Sequence, residues 1–127
     1  MQSYKDLIVW QKAITLVKSV YELTEHFPKA ELFGMTSQMR RSAVSIASNI
    51  AEGSRRGTRK DFRQFILMAY GSGAELETHI EIVKQLPFGK KLSTSAIESL
   101  LSEVMRMLNA LERKLGGSTH YSLPTTH

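Results

Sequence analysis

Residues 38–63 read QMRRSAVSIASNIAEGSRRGTRKDFR, and the spacing inside this run sets the fold class. Met39, Ala43, Ile46 and Ile50 recur at helical intervals and share one face, whereas Gln38, Arg41, Ser45, Ser48 and Glu52 share another. A third line, Arg40, Val44, Ala47 and Ala51, carries mostly short side chains that let a second backbone approach closely. The pattern predicts an amphipathic helix that stops at Gly53, where glycine accepts a left-handed C-terminal turn. Thr58, with Asp61 three residues on, is the predicted cap of the next helix, which leaves Ser54-Arg55-Arg56-Gly57 as the connection.

Working outward, Leu7, Trp10, Ile14, Val17 and Tyr21 form one apolar stripe between about Asp6 and Phe27. Val9, Ala13, Leu16, Val20, Leu23 and Phe27 form another. Two adjacent stripes cover more surface than one antiparallel neighbour buries. They call for two bundle partners, or for one contact inside the chain and one with another subunit. Pro28 ends this first helix, and residues around Lys29 to Gly34 connect it to the second. A third helix, about Thr58 to Leu86, carries Phe62, Ile66, Ala69, Gly73, Leu76, Ile80 and Val83 as an unbroken seam. Glycine inside a helix costs about 1 kcal/mol relative to alanine, so Gly73 is expected to mark a close helix contact, with a kink as the alternative. The fourth helix is expected to start near Ser93 or Ser95, with Ser95 and Glu98 as a capping pair, and to run to about Leu115 before Gly116-Gly117. Its seam is Ile97, Leu101, Val104, Leu108, Leu111 and Leu115. The expectation is therefore an all-α protein, an antiparallel up-down-up-down four-helix bundle over residues 1–116, followed by a flexible tail over 117–127.

Charge is unevenly spread. Arg40, Arg41, Arg55, Arg56, Arg59, Lys60 and Arg63 face only Glu52 and Asp61 within their stretch, a local excess of five, and the whole chain carries a net charge of +5. Guanidinium groups beside a helix start form an anion site, and phosphate is the common biological anion. These seven residues are accordingly the candidate nucleic-acid-binding set. The plainer alternative is a solvated charge run that favours solubility. A pI near 9.6 points toward acidic partners without choosing one.

Other chemistries find little support. Without cysteine there are no disulfides and no thiolate metal sites. Glu75 and His79 lie four apart, but the seams of the other helices contain no histidine, so no metal site or cofactor is expected and His79 reads as a packed or interface residue. Ser42, Ser45, Ser48, Ser54 and Ser72 sit in no nucleophile elbow, and residues 53–60 lack Walker spacing, so no enzyme activity is expected. Tyr4, Trp10 and Tyr21 lie on or beside an apolar stripe and read as core or interface positions rather than base-stacking ones. No apolar run reaches the roughly 20 residues of a membrane span, and the reading is of a soluble, cytoplasmic protein with no membrane partner.

Several segments together resemble one family. They are Tyr4-Lys5-Asp6-Leu7 with Val9-Trp10-Gln11-Lys12-Ala13, and Gln38-Met39-Arg40-Arg41-Ser42-Ala43 with Ser45-Ile46 and Asn49-Ile50-Ala51-Glu52-Gly53. Phe62, Phe65, Gly71-Ser72 and Ala74-Glu75-Leu76-Glu77 complete them. The family is that of bacterial four-helix bundle proteins encoded in intervening sequences of 23S ribosomal RNA, also called S23-type proteins. The resemblance runs from Tyr4 to about Leu115. It implies a four-helix bundle assembled as a ring-like homopentamer. By analogy with accessory proteins of diversity-generating retroelements, it also implies RNA or DNA binding through the basic residues above and contact with a partner protein such as a reverse transcriptase. The alternative function is an interaction scaffold with no direct nucleic-acid role.

Overall fold

The computed structural model describes residues 3–116, which form four helices and, among the described residues, no strand. A single 3-10 turn at Tyr4–Asp6 precedes α1, Ile8–Thr24. A turn at Lys29–Glu31 and a wide turn at Leu32–Thr36 lead into α2, Ser37–Arg55. Then come α3, Arg59–Gln85, and α4, Ser95–Gly116. The tail expected over 117–127 lies outside the described residues.

The expected seams are the core. Met39, Ala43, Ile46 and Ile50 of α2 have no solvent exposure, and Ile66, Ala69, Leu76, Ile80 and Val83 of α3 meet them. Leu16 and Val20 of α1 and Leu101, Val104 and Leu108 of α4 complete the interior. Each fully buried Leu, Ile or Val contributes about 1.5–3 kcal/mol, so this seam is the main stabilising element. The helices pack in a cycle, α1 on α2, α2 on α3, α3 on α4 and α4 back on α1. Contacts between sequential helices run in opposite senses. Thr24 meets Arg40 while Tyr4 meets Arg55, Ser42 meets Glu75 while Ser45 meets Ser72, and Arg63 meets Glu112 while Lys84 meets Glu98. Residues far apart in sequence are thereby gathered at each end of the bundle.

The two stripes of α1 separate in space. Val9, Ala13, Leu16, Val20 and Leu23 face the core, whereas Trp10 and Val17 are half-buried and Ile14 and Tyr21 are exposed beside α2. The helix is shorter than its pattern, because His26 and Phe27 donate to carbonyls only three residues back, and Phe27 leaves the helix to pack edge-on against Phe88 at 5.0 Å.

Two local expectations change and two hold. The second helix does not stop at Gly53 but continues to Arg55, and Gly53 is buried within it. A Cβ there would lie 2.6 Å from Phe65 Cβ and 3.3 Å from the Phe62 carbonyl oxygen, so this glycine permits α3 to approach; the left-handed residue of the turn is Gly57, with φ of 92°. The start of α4 is held by Thr94, whose hydroxyl donates to Glu98 at 2.6 Å, rather than by Ser95. Gly73 is a close contact, because a Cβ there would collide with Met105 Sδ. Thr58 caps α3 as expected, accepting from the Asp61 N–H at 3.1 Å.

Candidate functional site

The seven candidate cations do not form one cluster. Arg40 and Arg41 lie at the start of α2, and about 22 Å of helix, fifteen residues at ~1.5 Å each, separates Arg40 from Arg55. Arg55, Arg56, Arg59, Lys60 and Arg63 come together at the opposite pole, where α2 ends and α3 begins. The seven candidates, which lie in one run of sequence, are therefore divided in space, five at one pole and two at the other. The reason is that a helix carries charges at its two ends away from each other.

Five of the six candidate arginines have local partners. Arg40 donates to Thr24 Oγ1 at 2.8 Å, lies 3.7 Å from Glu25 and stacks 4.3 Å over the Tyr21 ring. At the other pole Arg55 lies 5.3 Å over Tyr4, whose ring packs edge-on to Trp10. Arg56 pairs with Glu52 at 2.8 Å and covers the Phe65 ring. Arg59 donates to the carbonyls of Lys114 and Leu115, two of the acceptors that every helix C-terminus leaves without intrahelical donors. Arg63 binds the buried Glu112 carboxylate through both Nε and a terminal nitrogen, a geometry that keeps the buried charge paired. Lys60 and Arg41 are exposed and, among the described residues, form no ion pair.

The same pole gathers cations that a linear scan misses. Lys5 follows Tyr4, which lies beneath Arg55, and Arg113 and Lys114 close α4 beside Arg59 and Arg63. All three are exposed and, among the described residues, in no ion pair. Lys5, Arg55, Arg56, Arg59, Lys60, Arg63, Arg113 and Lys114 thus share a pole with Asp6, Glu52, Asp61 and Glu112, eight cations against four anions, an excess of four out of the chain's five. The signal was available in the sequence. An up-down-up-down order must bring the starts of α1 and α3 and the ends of α2 and α4 to one end.

Between the poles, α2 and α3 share a polar seam. Ser45 Oγ and Ser72 Oγ are 2.8 Å apart, Asn49 donates to Ser45, and the Ser42 hydroxyl donates to Glu75 at 3.2 Å with His79 Nδ1 3.5 Å away. Burial lowers the His79 pKa below the usual imidazole value, and the nearby Glu75 charge opposes that shift. Ser42 is only 3% exposed, so its hydroxyl serves the helix contact and has no opening to a substrate. Among the described residues no three His, Cys, Asp or Glu side chains converge as metal ligands, and no helix is long and apolar enough to cross a membrane.

The other notable surface is apolar. Trp10, Ile14 and Val17 of α1 and Val44, Ala47 and Ala51 of α2 line a groove of about 260 Å³. Near its end, beside Tyr21 and Arg41, Phe33 stands 92% exposed. None of the curated proteins compared with the chain matches it. The family model for the 23S rRNA-intervening sequence protein matches residues 5–110, which take in α1, α2, α3 and most of α4, and the chain belongs to that family.

Proposed function

We propose that this bundle is a non-enzymatic protein that holds the phosphate backbone of RNA or DNA at its basic pole. The supporting observation is the convergence of cations from four helix ends, several of which no carboxylate answers. Lys5, Lys60, Arg113 and Lys114 project without ion pairs among the described residues, and Arg55 offers its guanidinium from above an aromatic ring. Such cations bind phosphate without reading bases, so affinity should fall steeply with salt as counterions are released.

The test is the affinity of a structured RNA, with duplex DNA as a second arm, measured by fluorescence anisotropy across a salt series. Changing Lys60, Arg113 and Lys114 together to Gln should weaken binding and lower the log–log salt slope by about one for each phosphate no longer neutralised. Arg41→Gln, at the far pole, should leave both nearly unchanged. Equal losses from the two variants, or an affinity insensitive to salt, would remove the basic pole as the site.

A second reading is favoured by the α1–α2 groove. An uncharged apolar surface between two helices marks a contact with another protein, and association of identical chains, of which the homopentamer is the expected form, would cover it. Self-association and phosphate binding use different parts of the molecule and are compatible. A single-chain mass for the native protein at micromolar concentration would count against association.

A further inference from the structure

The outward face of α3 departs from what a solvated helix carries. Gln64, Leu67, Gly71, Ala74, Thr78 and Ile82 recur at intervals of three and four, all are exposed, and none is charged. The corresponding line of α4, Ser99, Ser102, Arg106, Asn109 and Arg113, is polar throughout, as expected where a helix meets water. Along the α3 line Leu67 is 40% and Ile82 42% exposed, with Met68 beside them at 54%. Gly71 has open space where a Cβ would stand, and the Thr78 hydroxyl is already bonded to the Ala74 carbonyl at 3.0 Å. The face is therefore a low, uncharged ridge, smooth at its centre and mostly apolar.

This ridge and the α1–α2 groove lie at one height on the bundle. Ser45 is level with Ser72 and Ser42 with Glu75, so the stretch of α2 that lines the groove, Val44 to Ala51, stands beside the middle of α3. Both surfaces lack charge over their length, and both are bordered by it. Arg41 flanks the groove and Glu75 flanks the ridge, and among the described residues neither is in an ion pair. A groove and a ridge are different surfaces, so two copies using them meet head to tail, with each copy left one free groove or one free ridge until a ring closes. Resting on the self-association reading above, we infer that the α3 ridge of one copy seats in the α1–α2 groove of the next, with Arg41 of the groove-bearing copy paired to Glu75 of the ridge-bearing one.

Two variants test the pairing, one with the groove blocked by Ile14→Glu and Val44→Glu, the other with the ridge blocked by Leu67→Glu and Ile82→Glu. All four positions are exposed, and helix content measured by circular dichroism checks that each variant folds. Serine replacements at the same positions serve if glutamate does not. By native mass spectrometry the unaltered protein should be multimeric, while each variant alone should be a single chain, its self-association weakened about ten-fold or more. An equimolar mixture should give a two-chain species and nothing larger, because it contains one intact groove and one intact ridge. If the ridge variant assembles like the unaltered protein while the groove variant does not, the groove pairs with itself and the inference is overturned. It is also overturned if the mixture stays monomeric. A monomeric native protein would instead overturn the self-association reading beneath it.

Discussion

The two ends of this bundle draw their arginines from one run of sequence and use them differently. At the end holding Arg40, the guanidinium lies against the Thr24 hydroxyl and the Tyr21 ring, and its carboxylate partner Glu25 is 74% exposed on the side chain. At the end holding Arg63, the partner Glu112 is buried with 6% of its side chain exposed, and the neighbouring Lys60, Arg113 and Lys114 form no ion pair among the described residues. Net charge along a sequence thus says little about charge in space. What matters is which helix ends meet, and whether a carboxylate was buried in reach.

The sharpest break in that comparison is Arg63→Leu against Arg40→Leu. Removing Arg63 strips a buried carboxylate of its guanidinium and should cost about 3–5 kcal/mol in urea unfolding. Removing Arg40 loses one hydrogen bond, the contact with the Tyr21 ring and an exposed ion pair, together about 1–2 kcal/mol. Equal losses would mean that the Arg63–Glu112 pair is no more protected from water than the other.

Next in size are the two glycines of the basic pole. Gly53→Ala should destabilise by about 1–3 kcal/mol, because the added methyl meets the Cβ of Phe65 rather than the end of a flexible side chain. Gly57→Ala should cost about 1 kcal/mol, from the positive φ alone, since nothing lies within 4 Å of its added Cβ. Melting temperatures of the two variants would separate packing from backbone conformation. A milder effect at Gly53 than at Gly57 would overturn the packing account.

The smallest effect belongs to His79, on the seam toward the far pole. Its folded-state pKa is lowered from 6.5, chiefly by burial, so the unfolded chain takes up the proton first as pH falls. Its contribution is whole above the unfolded value and is lost progressively below about pH 6.5, until the folded state protonates too, with a slope of at most ~1.4 kcal/mol per pH unit. Urea unfolding of the native protein and His79→Gln from neutral to mildly acidic pH should show stabilities that differ most at neutral pH and converge on acidification. Parallel curves would show that His79 titrates alike in both states.

Much of the fold was legible because burial imposes a period. The four seams, the Thr58 cap and the close contact at Gly73 all follow from local spacing, and the surplus stripe on α1 already signalled the groove. Gly53 is ambiguous in sequence because a glycine near a helix end serves equally as a stop or as a point of close approach, and only Phe62 and Phe65 arriving from α3 distinguish the two. Lys5, Arg113 and Lys114 escape a linear reading because proximity along the chain is not proximity in space.

Helical periodicity by itself determined how many helices form and which face of each turns inward, since apolar side chains at intervals of three and four can leave water only on one side. Tertiary packing alone decided that Lys5, Arg113 and Lys114 join the cations around Arg55 and Arg59, that Arg63 is committed to Glu112 while Lys60 stays free of ion pairs among the described residues, and that the α3 ridge stands level with the α1–α2 groove. Those outcomes depend on distances between helices, which the order of residues within any one helix does not encode.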